Sequence, residues 1–248
     1  MKPIDPQSFD RKQAEAPQPL PRHDAHVIRV QMNRSDWLIL ATLAVIWGGA
    51  FFFIGVAVRH VQPLTYVWLR LTIAAAAMWG FLHFKGQKLD LPRSAWGSIL
   101  LLALLNNALP FTLFGWGQTH IASGLASILN ATTPIWGVVV AHILTHDERM
   151  TPRKVAGVLL GFGGVATMIG PALLANIGTS GIAQLACVTA SLSYALAAVW
   201  ARRFRRQGIS PLSVTTGQLT AGALMMLPMS MFIDRPWTHA FPPLTAWA

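Results

Sequence analysis

Long apolar runs, almost free of charge, alternate with short polar joints along this chain. The runs fall at 37–58, 64–84, 95–116, 122–144, 155–171, 181–201 and 211–233. Each is near the roughly 20 residues that a helix needs to cross a hydrocarbon core of about 30 Å. Only helices can cross in series like this, because every backbone polar group must be paired within its own segment. The pattern predicts an all-α polytopic membrane protein with seven complete transmembrane helices.

The pattern also repeats. QPLTYVWLRLTIAAAAMW (62–79) resembles SPLSVTTGQLTAGALMML (210–227), with Pro63 over Pro211, Leu71 over Leu219 and Arg70 over Gln218. Just ahead, ATLAVIWGGAFF (41–52) resembles VTASLSYALAAV (188–199), and further on LPRSAWG (91–97) resembles PPLTAWA (242–248). Five spans separate the starts of the two units, and an odd number turns the second upside down. Inverted repeats of this kind build secondary transporters, with the solute site near the midplane between the halves.

Composition agrees with the membrane reading. Charged residues are 11% of the chain, against about 25% in soluble domains. The formal charge of +10 points to topology rather than to nucleic acid. With the N-terminus placed in the cytoplasm, twelve Lys and Arg fall on that side: Arg29, Arg34, Lys85, Lys88, Arg93, Arg149, Arg153, Lys154, Arg202, Arg203, Arg205 and Arg206. Only Arg59 and Arg235 fall in the opposite loops. That is the positive-inside asymmetry. Residues 1–35, rich in proline and in both charge signs, read as a disordered cytoplasmic tail without the apolar core of a signal peptide. Cys187 is the one cysteine, so no internal disulfide is available.

Three stretches carry a family resemblance: WGGAFFFIGVAV (47–58), PLTYVWLRL (63–71) and ASGLASILNATTPIWGVVVAHILTHDERMTPRKVAGVLLGFGGVATMIG (122–170). Together they resemble EamA-type permeases of the drug/metabolite transporter superfamily, over roughly residues 37–248. The most specific piece is Pro134 inside the fourth helix, followed by Glu148, a short basic loop and a glycine-rich fifth helix. The resemblance implies ten helices in two five-helix units, a cytoplasmic N-terminus and movement of small metabolites. On that plan residues 36–171 form the first unit. Residues 180–248 form an incomplete second unit, with two helices and the start of a third. Seven of the ten expected helices are present.

The polar residues inside the spans are the candidate chemistry. Arg70 is the charged residue that lies well inside a span, and no Asp or Glu does. Either it snorkels past Tyr66 toward water, or it faces a cavity and holds an anionic or carbonyl-bearing solute. Its repeat partner Gln218 is also a donor, which favours the second reading. Pro110 and Pro134 each remove a backbone donor and free a carbonyl four residues back, at Asn106 and at Asn130. Asn106, Asn107, Asn130 and Thr133 are therefore either solute ligands or helix–helix hydrogen-bond partners. Trp47, deep in the first span, either lines the cavity or packs beside Gly48 and Gly49.

No lysine sits in a span to hold a retinal, and no catalytic, metal or cofactor site is expected. The reading is a transporter of a small organic metabolite or drug in the inner (plasma) membrane, working by alternating access, as monomer or homodimer. The rival is a non-transporting fragment or regulatory partner of a carrier.

Overall fold

The computed structural model describes residues 33–145, 151–169 and 179–238. The expected tail, Glu148 and the start of a third helix in the second unit lie outside the described residues. Among those residues every regular element is helical. They are α1 (Arg34–Ala57), α2 (Pro63–Phe84), α3 (Trp96–Ala103), α4 (Leu109–Gly117), α5 (Ser123–Asn130), α6 (Thr133–Leu144), α7 (Pro152–Ile169), α8 (Thr179–Arg206) and α9 (Pro211–Met229). Six helical stretches are long and apolar enough to cross a membrane: Arg34–Ala57, Pro63–Phe84, Arg93–Gly117, Ser123–Leu144, Ser180–Arg206 and Pro211–Thr238. The expected fifth span appears as the 18-residue helix α7. This is an all-α polytopic membrane protein.

By its contacts the chain divides into two compact units, Met1–Ala44 and Val45–Ala248. In the first, Asn33 opens α1 and the Asp36 carboxylate accepts the Asn33 backbone N–H at 2.8 Å, half of a capping box. Everything that follows concerns the second unit.

Large apolar side chains are exposed on most of its helices: Phe84, Leu160, Leu185 and Phe232 are examples. In water such a surface would be a liability; in hydrocarbon it is the expected outer face. The interior instead holds small residues at close approaches. A Cβ added at Gly117 would stand 2.7 Å from Cys187 Sγ and 3.3 Å from the Ala183 carbonyl, so α4 and α8 nearly touch.

The two prolines break their spans differently. Before Pro110 the third span loosens into a π-turn over Leu104–Ala108, where Leu109 N–H reaches back to the Leu104 carbonyl. The Leu105 carbonyl, passed over by that step, accepts the Ser193 hydroxyl of α8 at 2.7 Å. At Pro134 the fourth span stops at Asn130 and restarts at Thr133. There Thr133 Oγ1 donates to the Asn130 carbonyl at 2.7 Å, and Thr132 Oγ1 and Ser191 Oγ both donate to the Leu129 carbonyl. Helix α8 is thus a pillar whose buried serines satisfy the backbone that the interruptions release.

Helices α2 and α9 run antiparallel along each other. Three ties fix the direction: Thr65 to Asp234 near one end, Trp79 Nε1 to Thr220 Oγ1 at 3.0 Å, and Asp90 N–H to Ser213 Oγ at 3.2 Å near the other. Between them Gly222 lets Leu71 and Asn107 approach, with Leu71 3.1 Å from where a Cβ would sit.

Candidate functional site

Arg70 occupies the half-buried face of α2 that meets the third span. Helical side chains lean toward the N-terminus, and this one does: Nη1 donates to the Tyr66 hydroxyl, one turn earlier, at 3.1 Å. The guanidinium sits over Phe111, with Cζ 4.1 Å from the ring centroid. The ring contact and the tyrosine bond hold it in place and use one of its five N–H donors. Among the described residues no carboxylate lies within ion-pair distance of Arg70.

The aromatic floor continues from Phe111. Tyr194 of α8 stands edge-on to Phe111 at 6.5 Å and stacks on Phe114 at 6.2 Å; Phe114 meets Phe51 of α1 edge-on at 5.4 Å. The chain has two tyrosines in all: Tyr66 bonds Arg70 directly, and Tyr194 meets the ring on which Arg70 sits.

The other predicted residues group elsewhere. Gln218 of α9 accepts from Asn106 Nδ2 at 3.1 Å, so these two are together. Asn107, next along the π-turn, is 4% exposed, and its Nδ2 has no hydrogen-bond partner. It lies one helical turn from Phe111 on the same face of the third span, where α2, α9 and the π-turn cross. Asn130 and Thr133 serve the break in the fourth span, bonded to each other through Thr133 Oγ1. Trp47 is 70% exposed on α1.

Sequence reasoning missed Phe111, Tyr194 and Asp234. Tyr194 had a signal: in the alignment of 41–52 with 188–199 it stands over Trp47. Asp234 lies one residue past an apolar run, inside a second π-turn, Ser230–Asp234. Its Oδ2 accepts both the backbone N–H (2.7 Å) and the hydroxyl (2.9 Å) of Thr65 in the first turn of α2. Gln62 supplies no side-chain cap there, so a carboxylate from another span does the work of one, where the helix dipole favours an anion.

The sequence profile of the EamA-like transporter family matches residues 35–170. An uncharacterized transporter of Bacillus subtilis, YoaV, is 26% identical over 205 residues, covering 81% of this chain and 69% of that protein. A second from the same bacterium, YyaM, is 26% identical over 214 residues, covering 85% of this chain and 70% of its own length. The chain therefore spans about two thirds of the length of these relatives. A solved crystal structure aligns with a TM-score of 0.57 at 20% identity, covering 83% of this chain and 72% of that one; at that identity it speaks to the fold alone. More than half of the residues fall in the family match, and the chain belongs to the EamA-like transporter family.

Proposed function

We propose that this protein carries a small organic solute across the inner (plasma) membrane by alternating access between two inverted units, with its N-terminus in the cytoplasm. The relatives are named transporters, which supports a transporter with a small-molecule cargo in a lipid bilayer. The twelve-to-two division of Lys and Arg supports the orientation. The antiparallel pairing of α2 with α9, whose sequences resemble each other, supports inversion.

The observation that carries the reading is Arg70. A guanidinium in a membrane span costs about 2.5–3.5 kcal/mol on insertion scales. Leucine in its place would insert better. Its lean toward Tyr66 is a snorkelling posture, yet snorkelling needs neither a seat over Phe111 nor the lack of a carboxylate partner among the described residues. A solute that brings its own negative charge or carbonyl gives both a purpose. Gln218, Asn106 and Asn107 form a separate, neutral hydrogen-bonding group between the third span and α9.

The test is transport by the full-length protein in proteoliposomes. Arg70→Leu should insert normally and lose solute flux, while Arg70→Lys should keep part of it. Wild-type flux by the leucine variant would leave snorkelling as the whole explanation.

A further inference from the structure

The three donors around Phe111 say more about the cargo than Arg70 alone. Tyr66 accepts from Arg70 and so keeps its own proton to donate elsewhere. Among the described residues no partner takes the Tyr194 hydroxyl. The unspent groups at this seat can all donate: the remaining guanidinium N–H groups and two phenol O–H groups. The surfaces between them are apolar, namely the half-buried faces of Phe111 and Tyr194.

Resting on the transporter reading above, we propose that Arg70, Tyr66 and Tyr194 form a carboxylate seat, and that the cargo is a small organic acid with an apolar, aromatic-sized body. A carboxylate lies in the plane of a guanidinium and accepts two of its N–H bonds side by side. Arg70 is already held in place by its seat over Phe111, with Cζ 4.1 Å from the ring centroid, and by its bond to Tyr66. The two phenols then reach the carboxylate's remaining lone pairs. The body of the acid lies along Tyr194 and Phe111, which meet edge-on at 6.5 Å and offer faces to a third ring.

The same chemistry disfavours an α-ammonium group beside the carboxylate. Among the described residues of this unit the acids are Asp90 and Asp234. Asp90 belongs to the Ser213 end of the α2–α9 pair, and the Asp234 carboxylate is spent on Thr65. A zwitterion would bring its cation toward Arg70 with no acidic side chain to receive it.

Equilibrium dialysis of the purified full-length protein in detergent against radiolabelled phenylacetate tests the seat, with benzoate and 3-phenylpropionate as alternative acids. At least one acid should bind saturably. Phenylacetamide, acetate and phenylalanine should each compete at least tenfold less well, because they lack the charge, lack the body or add an ammonium. Tyr194→Phe and Tyr66→Phe keep the rings and remove one donor each. Each should weaken acid binding about five- to tenfold and leave weak competition by phenylacetamide unchanged.

No saturable binding of any of the three acids overturns the inference. So does equal competition by phenylacetamide or phenylalanine, or undiminished acid binding by both tyrosine variants. These failures are separable from failure of the transporter reading. A carrier whose flux of some other solute still depends on Arg70 would lose only the acid seat.

Discussion

Arg70 and Gln218 stand at matching positions of two related helices, and the structure treats them differently. Gln218 closes on Asn106 at 3.1 Å, a neutral pair between α9 and the π-turn. Arg70 has a hydroxyl and a ring face but, among the described residues, no anion. An amide pair in a bilayer is content, since each group has found a partner for the one it would otherwise lack. An uncompensated guanidinium is not. The difference teaches that donor character, which the aligned sequences share at the two positions, does not by itself mark a candidate binding residue; an unanswered donor does.

The strongest way to break this comparison is to remove each side chain. In the full-length protein Arg70→Leu should lower solute flux about 100-fold, the loss of a charge-assisted contact in a desolvated site. Gln218→Leu should lower it about fivefold, through the pair it forms with Asn106. Initial rates in proteoliposomes measure both. A larger loss from Gln218→Leu would move the centre of the site to the π-turn.

The second test exchanges the chemistry. Gln218→Arg places a second guanidinium against Asn106, again without an anion. Its folded yield should fall, reflecting a penalty of about 2.5–3.5 kcal/mol. Arg70→Gln should fold at wild-type yield, because that position then matches its repeat partner. Detergent-solubilised yield by size-exclusion chromatography reads both, and equal yields would mean that the Gln218 side of the third span already reaches water.

How much of this was legible beforehand follows from which signals are local. Hydrophobic length marked six of the seven expected spans among the described residues, and Pro110 and Pro134 each marked an interruption. The lean of Arg70 onto Tyr66 follows from helix geometry alone. The rotation of a helix does not. A span that is apolar all round has no stripe to orient it, so Trp47 and Tyr194 are equivalent in the sequence and differ in the structure: one is exposed on α1, the other edge-on to Phe111. Asp234 was invisible for another reason. It sits one residue beyond an apolar run, and a π-turn and antiparallel packing carry it to Thr65, 169 residues away. Nothing in a local window encodes that meeting.

That carboxylate sharpens the contrast at the two ends of the α2–α9 pair. Thr65 and Ser213 correspond in the repeat, each at the third position of its helix. Thr65 is held by an anion that accepts two bonds, whereas Ser213 takes neutral bonds from Asp90 N–H and the Ser210 hydroxyl. Asp234→Ala should therefore destabilise by about 1–2 kcal/mol, the range of a lost N-terminal cap. Ser213→Ala should cost about 0.6 kcal/mol, the average for a hydrogen bond within a membrane protein. Unfolding in mixed detergent, followed by tryptophan fluorescence, checks the order. If Ser213→Ala cost more, the carboxylate would not be what closes its end.

The smallest effect separates two serines that look alike. Ser191 and Ser193 are both fully buried on α8 and both donate to a carbonyl released by a broken span. Ser191 divides one proton between the Leu129 and Cys187 carbonyls, each at 3.1 Å. Leu129 also keeps Thr132 at 2.6 Å, so losing Ser191 strands nothing. Ser193 gives its proton to Leu105 at 2.7 Å, and the π-turn has taken away the amide that would otherwise serve that carbonyl. Ser193→Ala should then cost about 1 kcal/mol and Ser191→Ala about 0.3 kcal/mol, both inside the range for such bonds in membranes. The serine effects should also differ in kind. Ser193 adjoins Tyr194 and pins the turn that leads to Phe111, so its alanine variant should weaken solute binding as well as stability. The Ser191 variant should leave binding alone. Equal binding losses from the two would mean that the π-turn is not what holds Phe111 under Arg70.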